Sequence, residues 1–207
     1  MPRAHIRDRR ATGWYHLYNQ GWKGAGQRPR AVFNDREDKR HFLELLARHL
    51  GNRPVERRAG RDYLHLRPLI VLLAYCVMIT HFHLIVWQRD PGGIAELMNR
   101  VKCEYTKYFN RKYGNTRPLF NGPVQAKRID SREYLRWLVA YVHKNHRGDE
   151  NYEFSSHRAW VDSQQRPGWL DPTIGLAEFG EADGYIAYLA KFDAKRAIDA
   201  ELGHGRR

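Results

Sequence analysis

Apolar and polar positions change period several times along the chain, and each change marks an element. Trp14-Tyr15-His16-Leu17-Tyr18-Asn19 is an aromatic run between glycines, which predicts a first strand. Gly21 to Arg30 is a loop of Gly, Lys and Arg. Asn34 or Asp35 is placed to cap a helix whose apolar stripe is Phe42, Leu43, Leu45, Leu46 and Leu50, with Gly51 ending it. Residues 52–62 are charged and read as a connection. The dense run Leu69 to Met78 suits a strand buried on both faces, Ile79-Thr80 a tight turn, and His81 to Trp87 the returning strand. After the break Asp90-Pro91-Gly92-Gly93, helical spacing runs through Ile94, Leu97, Met98, Val101, Tyr105, Tyr108 and Phe109. Gly114 to Pro123 is turn-rich, and Val124 to Ile129 is a short basic strand. Ser131 is a good N-cap, Glu133 favours the first turn, and the helix is expected to reach about His146.

The order is β-α-β-β-α-β followed by a further helix. It predicts an α+β, ferredoxin-like antiparallel sheet with both crossover helices on one face. Residues 1–13 read as a basic arm, 14–160 as the main domain and 161–207 as a C-terminal extension. Gly168 to Ala200 is expected to hold one or two helices, including Gly184 to Arg196.

Composition narrows the function. The 207 residues are 42% hydrophobic, which is enough for a packed core. Two cysteines, Cys76 and Cys103, exclude a disulfide scaffold and a four-cysteine metal site. No apolar run approaches a membrane span and no apolar segment follows the basic N-terminus, so a cytoplasmic protein is expected. The net charge of +13 points to a polyanion, most commonly nucleic acid.

His81-Phe82-His83 is the sharpest local feature. Residues i and i+2 of a strand share a face, so two imidazoles stand side by side and can chelate a divalent metal. On the helix from Ser131, Tyr141 and Asn145 are four residues apart and share a face. Asn145 offers a carbonyl oxygen, and Tyr141 a hydroxyl one turn away. A phenol, with a pKa of about 10, is a weak nucleophile at neutral pH and needs a basic pocket and a polarised phosphate. Spacing alone does not choose between Tyr141 and Tyr134, and Tyr105 and Tyr108 are rivals on the preceding helix. A His-x-His hydrolase is the competing enzyme class. The chain falls short of the roughly 250 residues of a barrel, and Leu84-Ile85-Val86 follows where a metallo-β-lactamase-like site wants Asp-His.

Several segments resemble one family. Ala74-Tyr75-Cys76-Val77-Met78-Ile79-Thr80-His81-Phe82-His83-Leu84-Ile85 is similar to the "AYCLMPNHFHLL" signature of REP-associated tyrosine transposases, which are HUH single-strand DNA transposases. Tyr15 to Gly21 resembles their "YHVYNRG". Tyr105 to Asn110, with Pro118 to Gly122, resembles "YTRYFNRRYG…GPLFQGR". Tyr141-Val142-His143-Lys144-Asn145 resembles "YIHLNP", and Phe154 to Trp160 resembles "WSSYRAY". The resemblance runs in register from about 14 to 160. The chain departs from it at Ile79-Thr80, where the family has Pro-Asn, at His146, where it has Pro, and at Gly122-Pro123-Val124, where it has Gly-Arg-Tyr/Phe.

The resemblance implies His81 and His83 as ligands of Mg²⁺ or Mn²⁺, Asn145 as a third ligand and Tyr141 as the nucleophile of a phosphotyrosine intermediate. It implies single-stranded DNA marked by REP-like hairpins as the partner, and a monomer or homodimer. Candidate DNA contacts are Trp22, Lys23, Arg28, Arg30, Arg111, Lys112, Lys127 and Arg128. The alternative is a degenerate protein that binds hairpins of single-stranded DNA or RNA without cutting.

Overall fold

The strand Ile70–Val77 is buried at every position, which only a strand covered on both faces achieves. In the computed structural model, which describes residues 11–51, 56–58, 61–63, 65–146 and 152–201, that strand belongs to a four-stranded sheet. The chain order is β1 (Gly13–Gln20), α1 (Arg36–Leu50), the small hairpin β2 (Glu56–Arg58) and β3 (Arg61–Tyr63), β4 (Ile70–Val77), β5 (His81–Gln88), α2 (Gly93–Tyr113), β6 (Gln125–Ile129) and α3 (Arg132–His143). Three further α-helices follow: α4 (His157–Val161), α5 (Thr173–Leu176) and α6 (Glu181–Glu201). The hairpin β2–β3 lies where the sequence reads as a charged connection. The expected N-terminal arm lies mostly outside the described residues.

The sheet order is β4-β5-β1-β6, with every neighbour antiparallel, as the ferredoxin-like order requires. Helices α1 and α2 pack on one face over Tyr15, Leu17, Ile70, Leu72, Phe82, Leu84 and Val86. Helices α3 to α6 cover the other face over Val71, Leu73, Ala74, Cys76, Ile85 and Ile129. A register shift between Leu72 and Ala74 lets Leu73 and Ala74 both serve the second core, where strict alternation would split them.

Caps set the helix starts. Asp35 accepts from Asp38 N at 2.8 Å, and Ser131 accepts from Tyr134 N at 3.1 Å. From residue 160 onward the chain continues the second core: Trp160, Leu176, Tyr185 and Leu189 are buried with Leu135, Leu138 and Val142 of α3. The segment 152–171 also closes the outer edge of β4 through bridges from Ser155 to Cys76 and from Leu170 to Leu72. No described helix is long and apolar enough to cross a membrane.

Candidate active site

Three loops meet at the end of the sheet where β5 begins. Gly21 N donates to Thr80 O at 2.8 Å, Trp22 N to Leu119 O at 2.9 Å, and Val32 N and Phe33 N both donate to Ile79 O at 3.0 Å. The Gly-rich basic loop, the Ile79-Thr80 turn and the 118–122 loop therefore form one rim. Gly21 is required there, because a Cβ would stand 2.1 Å from Arg30 O.

Behind this rim His81 and His83 share a face of β5, with ring centroids 5.1 Å apart. His81 Nε2 lies 3.2 Å from Asn145 Oδ1, and Thr80 Oγ1 lies 2.9 Å from His81 Nδ1. The Tyr141 ring meets His83 edge to face at 5.8 Å. Tyr141, His81, His83 and Asn145 are thus brought together, from a helix, a strand and a turn. The helix is shorter than the sequence spacing predicts. It ends at His143, and Asn145 sits in the following turn rather than on the helix. Lys144 N still bonds Ala140 O at 2.9 Å, and Asn145 N then tightens onto Val142 O at 3.3 Å, so Asn145 stays one turn above Tyr141. Buried Lys144 pairs with Asp193 of α6 at 2.7 Å, which ties this turn to the C-terminal helix.

Two neighbours were not legible as site residues. His16 of β1 lies with Nε2 2.9 Å from His83 Nδ1, the ring centroids 5.0 Å apart and the rings meeting edge to edge. Tyr18 packs on His16 at 4.9 Å and is the register partner of His83. The available signal was the alternation Trp14, His16, Tyr18, which puts these three on one strand face. Burial lowers all three histidines below their usual value. His16 falls to about 4, with Lys127 adding repulsion, and His83 to about 3, with His16 and His81 adding repulsion. For His81 burial is also the larger effect, opposed by the bond to Asn145. The imidazoles are therefore neutral at pH 7, the form that ligates metal.

The donor set fits a divalent ion. His81 Nε2 and Asn145 Oδ1 converge to 3.2 Å, so an imidazole nitrogen and an amide oxygen would be available together as donors to it. Among the described residues no three His, Cys, Asp or Glu gather for a metal, so an amide oxygen would be the third donor.

An aromatic ladder leads away from the histidines. Tyr141 stacks on Trp137 at 5.3 Å, and Trp137 on Tyr134 at 6.0 Å. Lys127 Nζ stands 5.1 Å from the Tyr134 ring centre. Trp137 is 44% exposed, Trp22 39% and Ile79 57%. Lys23 and Arg28 are exposed on the rim loop. Arg30 donates to Asn115 Oδ1 at 2.9 Å and lies over Phe109. Arg128 donates to Asp130 at 3.0 Å. Arg111 is exposed on the last turn of α2, and Lys112 beside it is held by Asp35, Glu37 and Asp38 at 2.8–3.0 Å. Lys112 thus has internal carboxylate partners that its sequence neighbours did not reveal. Tyr105 and Tyr108 lie on the helical layer of the opposite face, with their hydroxyls given to Val32 O and Asp38.

No family model matches the chain, and no curated protein matches it significantly. Among solved structures it is similar to one described as a REP-associated tyrosine transposase bound to a REP hairpin, at 17% identity and a TM-score of 0.49. The match covers 84% of this chain and 92% of that one.

Proposed function

We propose that the protein is a metal-dependent single-stranded DNA endonuclease and strand transferase that works through Tyr141. The observation that carries this reading is the meeting of Tyr141, His81, His83 and Asn145 behind a basic, aromatic rim. His81, His83 and Asn145 would hold Mg²⁺ or Mn²⁺, whose contribution is to draw charge from the scissile phosphate. Lys127, Lys23 and Arg28 attract the backbone, and Trp137 and Trp22 offer faces to unpaired bases.

The Tyr141 hydroxyl oxygen attacks phosphorus in line. An Oη–P bond forms, the P–O3′ bond breaks, and the phenolic proton ends on the departing 3′ oxygen. The 5′-phosphotyrosine keeps the bond energy, so the 3′ hydroxyl of another strand reverses the step and joins DNA.

The test uses end-labelled single-stranded hairpins flanking the gene, with Mn²⁺ or Mg²⁺. The wild type cleaves, whereas His81→Ala binds the hairpin but no longer cleaves. Full cleavage by His81→Ala overturns the metal reading. A gel shift with no cleavage by the wild type makes hairpin binding the function.

A further inference from the structure

Each histidine of the pair has its Nδ1 engaged by a neighbour. Thr80 Oγ1 stands 2.9 Å from His81 Nδ1, and His16 Nε2 stands 2.9 Å from His83 Nδ1. A neutral imidazole carries one ring hydrogen, and the nitrogen without it is the one that can ligate. Histidine ligands commonly donate their other N–H to a fixed partner, which sets both tautomer and ring orientation.

We propose that His16 is the positioning residue of His83: its Nε2 accepts the hydrogen of His83 Nδ1–H and so keeps His83 Nε2 as the ligating nitrogen. The inference rests on the metal reading above. The opposite arrangement, with His16 Nε2–H donating to His83, would place the His83 hydrogen on Nε2 and remove that ligand.

The surroundings hold the pair in this geometry. His16 and His83 are 7% and 8% exposed, and their ring planes lie 26° apart with the nitrogens meeting edge to edge, as an in-plane N–H···N bond requires. Tyr18 covers both rings, at 4.9 Å and 6.2 Å. The backbone ladder between β1 and β5 fixes the register, Tyr18 opposite His83 and His16 opposite Ile85.

Two readouts test His16. The first is a long-range proton–nitrogen spectrum of the histidine-labelled full chain without metal. His83 is expected as the Nδ1–H tautomer in the wild type, and as the commoner Nε2–H tautomer in His16→Leu. The second is Mn²⁺ affinity, from the free-ion EPR signal. His16→Leu should weaken it about 10–100-fold, and His16→Gln, whose amide oxygen can accept the same hydrogen, should recover most of the loss. An Nε2–H tautomer in the wild type overturns the proposal. So does equal weakening in the Leu and Gln variants, with both folded by circular dichroism, because packing alone would then explain the loss. Failure of the wild type to bind Mn²⁺ would overturn the metal reading, while the metal-free tautomer spectrum still decides for or against His16.

Discussion

Asn145 Oδ1 faces His81 Nε2 across 3.2 Å, joining the turn after α3 to the first residue of β5. The two positions are 64 residues apart, and only packing of α3 on the sheet brings them together. Asn145→Ala should lower Mn²⁺ affinity by about tenfold or more, since even outer partners of a ligand cost about 10–100-fold. Titration of Mn²⁺ into wild type and variant checks this, and equal affinities would remove Asn145 from the ligand set.

The buried histidines make folding acid-sensitive. His143 is held well below its usual value, first by burial and then by His157, His146 and Lys144. His16 and His83 stand at about 4 and about 3, against 6.5 in the unfolded chain. Between these values the unfolded chain binds more protons than the folded one, so stability rises with pH. The contribution is complete above about pH 6.5 and is lost as the pH falls through that window. Urea melts at pH 7.5, 6 and 5 should show a falling midpoint, and a midpoint constant over that range would contradict the neutral burial of these rings.

Gly175 has no room for a side chain. A Cβ there would meet Trp160 Cη2 at 2.7 Å and Leu73 Cδ2 at 3.3 Å. Trp160 is fully buried and its Nε1 donates to Leu73 O at 2.8 Å, so the ring cannot step aside. Gly175→Ala should destabilise by about 1–3 kcal/mol through overpacking. Gly168→Ala is the control, because a Cβ at 168 meets nothing within 4 Å. Denaturant melts of both variants should separate them, and equal midpoints would show that the Trp160 pocket is looser than described.

The ladder on α3 and the ammonium beside it should have distinct binding signatures. Trp137→Ala should weaken a single-stranded oligonucleotide by about 1–3 kcal/mol and leave the salt dependence unchanged. Lys127→Ala should reduce the slope of log affinity against log salt by about 0.7, the value of one phosphate contact. Fluorescence anisotropy at several salt concentrations reads both effects. A reduced slope in Trp137→Ala would mean that its loss disturbs the charged surface rather than a stacking face.

What could be read from the chain depended on how local the signal was. The run at 69–78, the two-residue turn and His-x-His carry their geometry within a few residues, so the β4–β5 hairpin and the His81/His83 pair were legible locally, and the antiparallel sheet followed from the β-α-β-β-α-β succession of elements. Asn145 was placed on the right side of the helix, but the helix end was not, because a tightened last turn leaves no residue signature. His16 went unread because its partner is 67 positions away and meets it only through strand register. Lys112 is the same case for charge: Asp35, Glu37 and Asp38 approach it across the α1–α2 packing. The bulge at Leu72–Ala74 was hidden inside an uninterrupted apolar run, where a shift of face changes no residue type.

The most direct test asks whether Tyr141 becomes joined to DNA. The full chain is incubated with a single-stranded hairpin oligonucleotide and Mn²⁺, and a protein–DNA band that survives detergent is sought on a denaturing gel. The band should form with the wild type and with Tyr134→Phe, and vanish with Tyr141→Phe. A band that persists in Tyr141→Phe would place the nucleophile elsewhere. A wild type that shifts the hairpin in a native gel but forms no such band would contradict the transferase reading and leave a hairpin-binding protein.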